Sequence, residues 1–130
     1  MKHDPRTLLS MLWVFVTFNY VYADVFGLLD PQQLSMIMSG VVGGVNITQE
    51  FLLLGAVLME IPIAMILLSR LLPYRHNRWA NIGAAVIKTA AVAASLTVTT
   101  PTMYYAFFCC IEIACTVFIV WYAWCWKATA

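Results

Sequence analysis

The sequence predicts an all-α protein, a transmembrane four-helix bundle with both termini on the cytoplasmic side. Two features of composition predict this class: of 130 residues, 63% are hydrophobic and 10% are charged, and the mean hydropathy is +0.86. An average soluble domain is about 45–50% apolar and about 25% charged. One small water-soluble core cannot bury this excess, and disorder or a disulfide scaffold does not fit it either.

Four apolar runs are long enough to cross a bilayer, which takes about 20 residues. They cover residues 7–29, 49–72, 79–100 and 102–124. Residues 1–130 are therefore expected to form a single integral membrane domain. The first run is too long for a cleavable signal peptide, and no small-residue cleavage site follows it.

Residues with capping side chains mark where helices begin. Asp4-Pro5 and Thr100-Pro101 each place a capping side chain before a proline at the first helical position. Asn77 is expected to cap the third spanning helix in the same way. These signals place the starts of the first, third and fourth spans.

The first outer loop repeats the pattern of a cap followed by a proline at Asp30-Pro31. It predicts a short helix over residues 32–38, lying at the membrane interface. The glycine-rich stretch 39–45 that follows is too short to span a membrane. It either rests at the interface or against the bundle mouth, or it is a flexible connector.

The basic residues predict the orientation. If the N-terminus is cytoplasmic, six of them lie inside and neither outer loop contains one, which is the positive-inside pattern. These six are Lys2, Arg6, Arg70, Arg75, Arg78 and Lys127. All five Trp, including Trp13, also fall toward the cytoplasmic ends, as in an interfacial belt. The expected location is a bacterial inner membrane, and a net charge of +1 excludes a nucleic-acid binder.

Each span contains one ionisable side chain: Asp24, Glu60, Lys88 and Glu112. A charge at the bilayer centre costs at least about 2.5–3.5 kcal/mol, so each is expected to face the bundle interior. Counting along the helices places Glu60, Lys88 and Glu112 at one level, with Asp24 roughly 8 Å further out. Because two carboxylates would share one ammonium at low dielectric, one of them is expected to hold a proton.

Helical phase places each of these charges on a polar stripe, and a bundle with all four stripes inward is the simplest arrangement. The stripes are Arg6, Trp13, Thr17, Tyr20 and Asp24; Gln49, Ala56, Glu60 and Ala64; Asn81, Lys88, Ser95 and Thr102; and Tyr105, Glu112, Thr116 and Ile119. Pro62 frees the carbonyl of Leu58 and predicts a hinge beside Glu60. Equally, membrane helices often tolerate a proline without functional consequence.

No metal or cofactor is expected. All four Cys lie in the last span without a C-x-x-C motif, far from His3 and His76. The vicinal pair Cys109-Cys110 is suited to a soft metal or to disulfide exchange, although small apolar filling is the commoner use. No phosphate-binding loop or HExxH motif is present.

Several stretches carry a resemblance to a known group: NYVYAD at 19–24, MEIPIAM at 59–65, LLPYRHNRWAN at 71–81, PTMYY at 101–105 and IEI at 111–113. They resemble an uncharacterised family of small bacterial four-span membrane proteins, over nearly the whole chain. The resemblance implies a four-helix fold and no assigned activity. A looser similarity, in length and span count only, is to the DoxX-like membrane proteins.

Three functions remain open. The leading interpretation is a homo-oligomer, most simply a dimer, that binds or moves a small solute or a proton at the midplane. Its expected binding residues are Glu60, Lys88, Glu112, Asp24, Tyr20 and Asn81, with Pro62 as the hinge. The alternatives are a membrane-embedded enzyme that uses a buried carboxylate as general acid on a lipid-soluble substrate, and an accessory subunit whose charges only hold the bundle together.

Overall fold

The computed structural model describes residues 4–42, 44–98 and 101–127. Four of its helices are long and apolar enough to cross a membrane: α1 (Pro5–Leu29), α3 (Gln49–Leu71), α4 (Tyr74–Val98) and α5 (Met103–Cys125). A short helix, α2 (Pro31–Ser39), and a two-stranded hairpin, β1 (Val41–Val42) and β2 (Val45–Asn46), connect α1 to α3. The all-α four-helix bundle predicted from composition is confirmed.

The four long helices pack in the order α1, α3, α4, α5 around the bundle, and α5 returns to α1. At one end, which we call the Asp4 face, the Tyr74 hydroxyl donates a hydrogen bond to the Trp126 carbonyl at 2.6 Å. At the other end, the Asp30 face, the Tyr104 hydroxyl donates to Asp30 at 3.0 Å. α2 and the hairpin lie at the Asp30 face.

The caps at Asp4 and Asp30 are confirmed. Each carboxylate accepts a hydrogen bond from the backbone N–H two residues later, and a proline occupies the first helical position. The predicted short helix in the first outer loop is confirmed as α2. Gly40 ends α2 with a φ of +83°, a left-handed conformation that suits glycine.

Two other predictions about helix starts are wrong. Asn77 does not cap α4, because α4 begins at Tyr74, directly after Pro73 ends the preceding segment. Instead its side-chain amide donates to the carbonyls of Ser69 and Leu72, at the end of α3. Pro101 is not the first residue of the fourth span, because α5 begins at Met103 and is capped by Thr102, which accepts from the N–H of Tyr105. Thr102 therefore does not extend the α4 stripe either. Lys2 and Thr100, on which other sequence arguments rested, lie outside the described residues.

The core is built mainly on one side of α1. Leu9, Trp13 and Val16 are fully buried there, together with Met65 of α3 and Ile119 of α5. The placement of Trp13 in an interfacial belt is therefore wrong. Its indole lies inside the bundle because its N–H has a buried acceptor, described below. Trp79 and Trp124, near the Asp4 face, are more than half exposed.

Candidate functional site

The centres of three of the four polar stripes face inward, but the inward direction predicted for Asp24, at the end of the α1 stripe, is wrong, because its side chain is exposed. Tyr20 on α1 and Lys88 on α4 are each 5% exposed, and Glu112 on α5 is 3% exposed. The inward direction predicted for the α3 stripe is wrong, because Glu60 is exposed. α3 turns Pro62, Met65 and Ser69 toward the core instead. Residue 60 points about 200° away from residue 62 on a helix, and so to the outside.

The Lys88 ammonium is surrounded by groups from α1 and α3. Its Nζ lies 3.5 Å from the Leu58 carbonyl oxygen and 3.9 Å from the Met59 sulfur. It also lies 4.2 Å from the centre of the Tyr20 ring, within the range of a cation–π interaction. The Leu58 carbonyl is the one that Pro62 deprives of its helical donor. Lys88 therefore supplies a donor for the carbonyl that the proline leaves free.

The Glu112 carboxylate is the least satisfied group of this site. Its Oε2 atom is buried and has no hydrogen-bond partner among the described residues, and the same holds for the hydroxyls of Tyr20 and Thr17. Glu112 and Lys88 are both buried, on the neighbouring helices α5 and α4. Buried polar atoms are nearly always hydrogen-bonded, so three orphans in one region of a small bundle require an explanation.

These groups share a depth in the bundle. Lys88 lies two residues past the midpoint of α4, and Glu112 lies two residues before the midpoint of α5. Since the two helices run in opposite directions, both are displaced toward the Asp30 face by about 3 Å. Leu58 is displaced by the same amount on α3. The level predicted by counting is therefore the level at which Lys88 meets its partners.

Asp24 lies between this site and the Asp30 face. It is seven residues past the midpoint of α1, or about 10 Å from the bundle centre, and it is exposed. Tyr20, one turn before Asp24 on α1, lies inside the bundle instead, with its ring over Lys88.

The structure separates Asn81 from Lys88. Asn81 lies two turns nearer the Asp4 face, and its oxygen accepts from Trp13 Nε1 at 2.7 Å and from the Ser69 hydroxyl at 3.3 Å. Its nitrogen donates to the backbone and side-chain oxygens of Asn77, at 2.9 and 2.6 Å. Both polar ends of the amide are occupied, so this cluster ties α1, α3 and α4 together.

Sequence reasoning missed several of these polar contacts. The Asn81 cluster includes Asn77, and the four-residue spacing between them was the available signal. Between α4 and α5, the Thr89 hydroxyl donates to Thr116 at 2.7 Å. Contacts between hydroxyls on different helices leave no pattern in the sequence of either helix.

The four cysteines do not form a cluster. Cys109 and Cys115 are buried, whereas Cys110 and Cys125 are exposed. No group of three or more His, Cys, Asp or Glu side chains is placed to hold a metal ion within the described ranges.

The fold and the site together define a class, a small four-helix membrane bundle with a buried lysine and a buried glutamate near its midplane. The chain belongs to a family of unknown function, DUF6326, whose family model matches residues 1–130. The resemblance to an uncharacterised family is confirmed to that extent. No curated protein and no solved structure matches the chain.

Proposed function

We propose that the protein binds protons, and moves them through the membrane, at the site formed by Lys88 and Glu112. The observation that carries this proposal is the Glu112 carboxyl group, buried with an unpartnered oxygen at the same depth as the buried Lys88 on the neighbouring helix. Burial without a donor favours the neutral acid, and a nearby ammonium favours the carboxylate. Burial thus favours binding of a proton to Glu112, and the ammonium favours its release. A proton relay requires a group that can do both.

A proton fits this site better than a larger solute. Lys88 is held on several sides by groups 3.5 to 4.2 Å from Nζ. The unpartnered hydroxyls of Tyr20 and Thr17 add groups that both donate and accept protons. Asp24, exposed on the Asp30 side of Lys88, is the natural point of entry.

Hydroxyl groups also lie on the Asp4 side of the proposed relay. Thr116 follows Glu112 by one turn in the direction of the Asp4 face, and its hydroxyl accepts from Thr89. Thr17 precedes Tyr20 by one turn in the same direction. The hydroxyls therefore continue on α1 and α5 beyond the level of the two charges.

The proposed membrane is the inner membrane of a bacterium, with both termini in the cytoplasm. What supports this is the distribution of basic residues: no Lys or Arg stands between Arg6 and Arg70, or between Lys88 and Lys127. The Asp4 face therefore collects the positive charge outside the spans. Positive residues of short loops stay in the cytoplasm.

An enzyme that acts on a lipid-soluble substrate has less support. A groove of about 610 Å³ opens between α4 and α5, but its lining contains no carboxylate. The lining residues are Val86, Thr89, Ala90, Ala93, Val117, Val120, Trp121 and Trp124. A molecule in this groove would not meet Glu112, whose side chain is buried inside the bundle.

The test is proton flux into liposomes that contain the purified chain and a trapped pH-sensitive dye, driven by a potassium diffusion potential. We expect Glu112→Gln to reduce the flux to that of protein-free liposomes, since the amide cannot take up or release the proton. Glu60→Gln is the matched control, because it changes another carboxylate near the midplane that lies outside the site. It should keep the wild-type flux.

Circular dichroism and the elution volume in detergent check that both variants fold. Equal flux in wild type and in a folded Glu112→Gln variant would refute the relay. So would a wild-type chain that passes no protons under gradients of either direction. In that case the buried charges would have the structural role of an accessory subunit.

A further inference from the structure

Glu60 is an ionisable residue on the outer surface of the spanning helix α3 and is not part of the site formed by Lys88 and Glu112. It stands at the midpoint of α3, whose most apolar 18-residue stretch has a mean hydropathy of 2.5. Its side chain is exposed, and within the described residues no donor of the same chain reaches it. A carboxyl group facing lipid at this depth is one of the most unfavourable placements of a side chain. Its partner is therefore expected to come from outside the chain.

The surface around Glu60 has the pattern of a helix-packing seam. Five residues follow one another at alternating spacings of three and four, the spacing of positions a and d in a left-handed helix pair. They are Leu53, Ala56, Glu60, Ile63 and Leu67, and all five are exposed. We call them the Glu60 face. Only 11% of the most apolar stretch of α3 is buried within the chain, compared with 22–33% for the other spans.

We propose that a second copy of the chain covers the Glu60 face, and that the two Glu60 carboxyl groups bond to each other across a twofold axis. Both copies insert in the same orientation, so their α3 helices run parallel and each residue meets its counterpart. A carboxylic acid donates one hydrogen bond and accepts others, which makes the residue complementary to itself. A single polar residue at a central a position also sets register and oligomer state.

The proposal does not depend on proton movement at Glu112. It concerns the opposite side of α3 from Pro62, Met65 and Ser69, which face the chain's own core. The half-buried Asn19 of α1 offers no comparable site, because its amide already donates to the Phe15 carbonyl at 2.9 Å. Lipid chains cannot satisfy Glu60, since they contain no donor or acceptor at this depth.

Cysteine cross-linking in liposomes tests which face is covered. The exposed Cys110 and Cys125 are first replaced by alanine. Leu53→Cys and Leu54→Cys are then compared, because these neighbours are similarly exposed, at 65% and 58%, and differ by about 100° in direction. We expect oxidation to link Leu53→Cys into a dimer and to leave Leu54→Cys monomeric. Equal linking at both positions, or none at residue 53, would overturn the proposal.

Energy transfer between labelled chains, measured over a series of protein-to-lipid ratios, tests the role of the carboxyl group. Glu60→Gln keeps a donor and an acceptor and should dimerise like wild type. Glu60→Leu should associate about 5- to 30-fold more weakly, as expected for an interhelical hydrogen bond in lipid. Glu112→Gln should dimerise normally, which separates this result from the flux measurement.

A Glu60→Leu variant that dimerises as tightly as wild type would show that the carboxyl pair is absent. A wild-type chain that stays monomeric at every ratio would overturn the interface itself. Either result leaves the assignment of Glu112 untouched, because the relay lies within one bundle.

Discussion

Asn81 and Asn19 show how differently one residue type behaves within spanning helices. Asn81 is fully buried and bonds to side chains of α1, α3 and α4. Asn19 is half-buried, and its side chain bonds only to the carbonyl of Phe15 one turn earlier. An amide that is satisfied within its own helix contributes nothing to the contact between helices. The two residues should therefore contribute very differently to the free energy of unfolding.

We expect Asn81→Leu to lower the free energy of unfolding by about 2–3 kcal/mol, because Trp13 Nε1 and the Asn77 side chain would be left buried without partners. Asn19→Leu should change it by less than about 0.5 kcal/mol. Denaturation of the purified protein by SDS, followed by circular dichroism, measures both. Similar losses in the two variants would show that the Asn81 cluster does not stabilise the bundle.

Lys88 shows what sequence can and cannot say about a single residue. Its place on the inward stripe of α4 and its depth follow from helical periodicity alone. Its contact with the Leu58 carbonyl does not, because every residue has a carbonyl and none is marked in the sequence as an acceptor. The proline at 62 indicates which carbonyl is free, but only the packing of α4 against α3 shows what reaches it.

At the scale of helices, the Arg78 side chain of α4 caps the C-terminal end of α5. Its Nε donates to the Ala123 carbonyl at 3.0 Å and an Nη donates to Trp124 at 2.8 Å. The guanidinium also lies over the rings of Trp79 and Trp124, 5.2 and 5.3 Å from their centres. The last carbonyls of a helix have no helical donor. A side chain from the neighbouring helix supplies one here.

Arg78→Lys should loosen the last turn of α5, because an ammonium cannot keep two directed hydrogen bonds and also place a planar cation against two tryptophan rings. We expect a stability loss of about 1 kcal/mol. We also expect faster hydrogen exchange in the peptide that ends at residue 125. Arg75→Lys, at an exposed position three residues away, is the control and should change neither quantity. Equal exchange in the two variants would contradict the capping role.

α3 shows why the inward face of an apolar helix is hard to predict. Two faces were compatible with its sequence, one through Glu60 and one through Pro62, Met65 and Ser69. In water, the apolar face of a helix is the buried one. In a membrane, lipid accepts apolar side chains as readily as the protein core does, so periodicity does not decide. Close contact with α1 decided it, through such bonds as Ser10 to the Ile66 carbonyl at 2.7 Å.

At the scale of the whole molecule, the bundle has two chemically different faces. The Asp4 face carries Arg70, Arg75 and Arg78 around the turn between α3 and α4. The Asp30 face carries α2, which has no buried residue, and a hairpin that contains no charged residue. The proposed orientation places the face that carries the arginines in the cytoplasm.

Labelling of intact bacterial cells tests that orientation. Met38 of α2 is 79% exposed. In a chain without Cys110 and Cys125, a Met38→Cys variant should react with a membrane-impermeant thiol reagent. Lys127→Cys should react only after the membrane is opened. The opposite result would place the basic residues outside, contrary to the positive-inside rule.

The sequence by itself determined the class, the four spans, two of the caps and the depth of Lys88 and Glu112. These follow from composition, periodicity and local hydrogen bonds, each of which acts within one stretch of chain. The tertiary structure alone decided that Glu60 faces outward, that Asn81 joins a separate cluster with Trp13, and that Lys88 lies over Tyr20. Those outcomes depend on which helices become neighbours, and contacts between helices are set by packing that no single helix encodes.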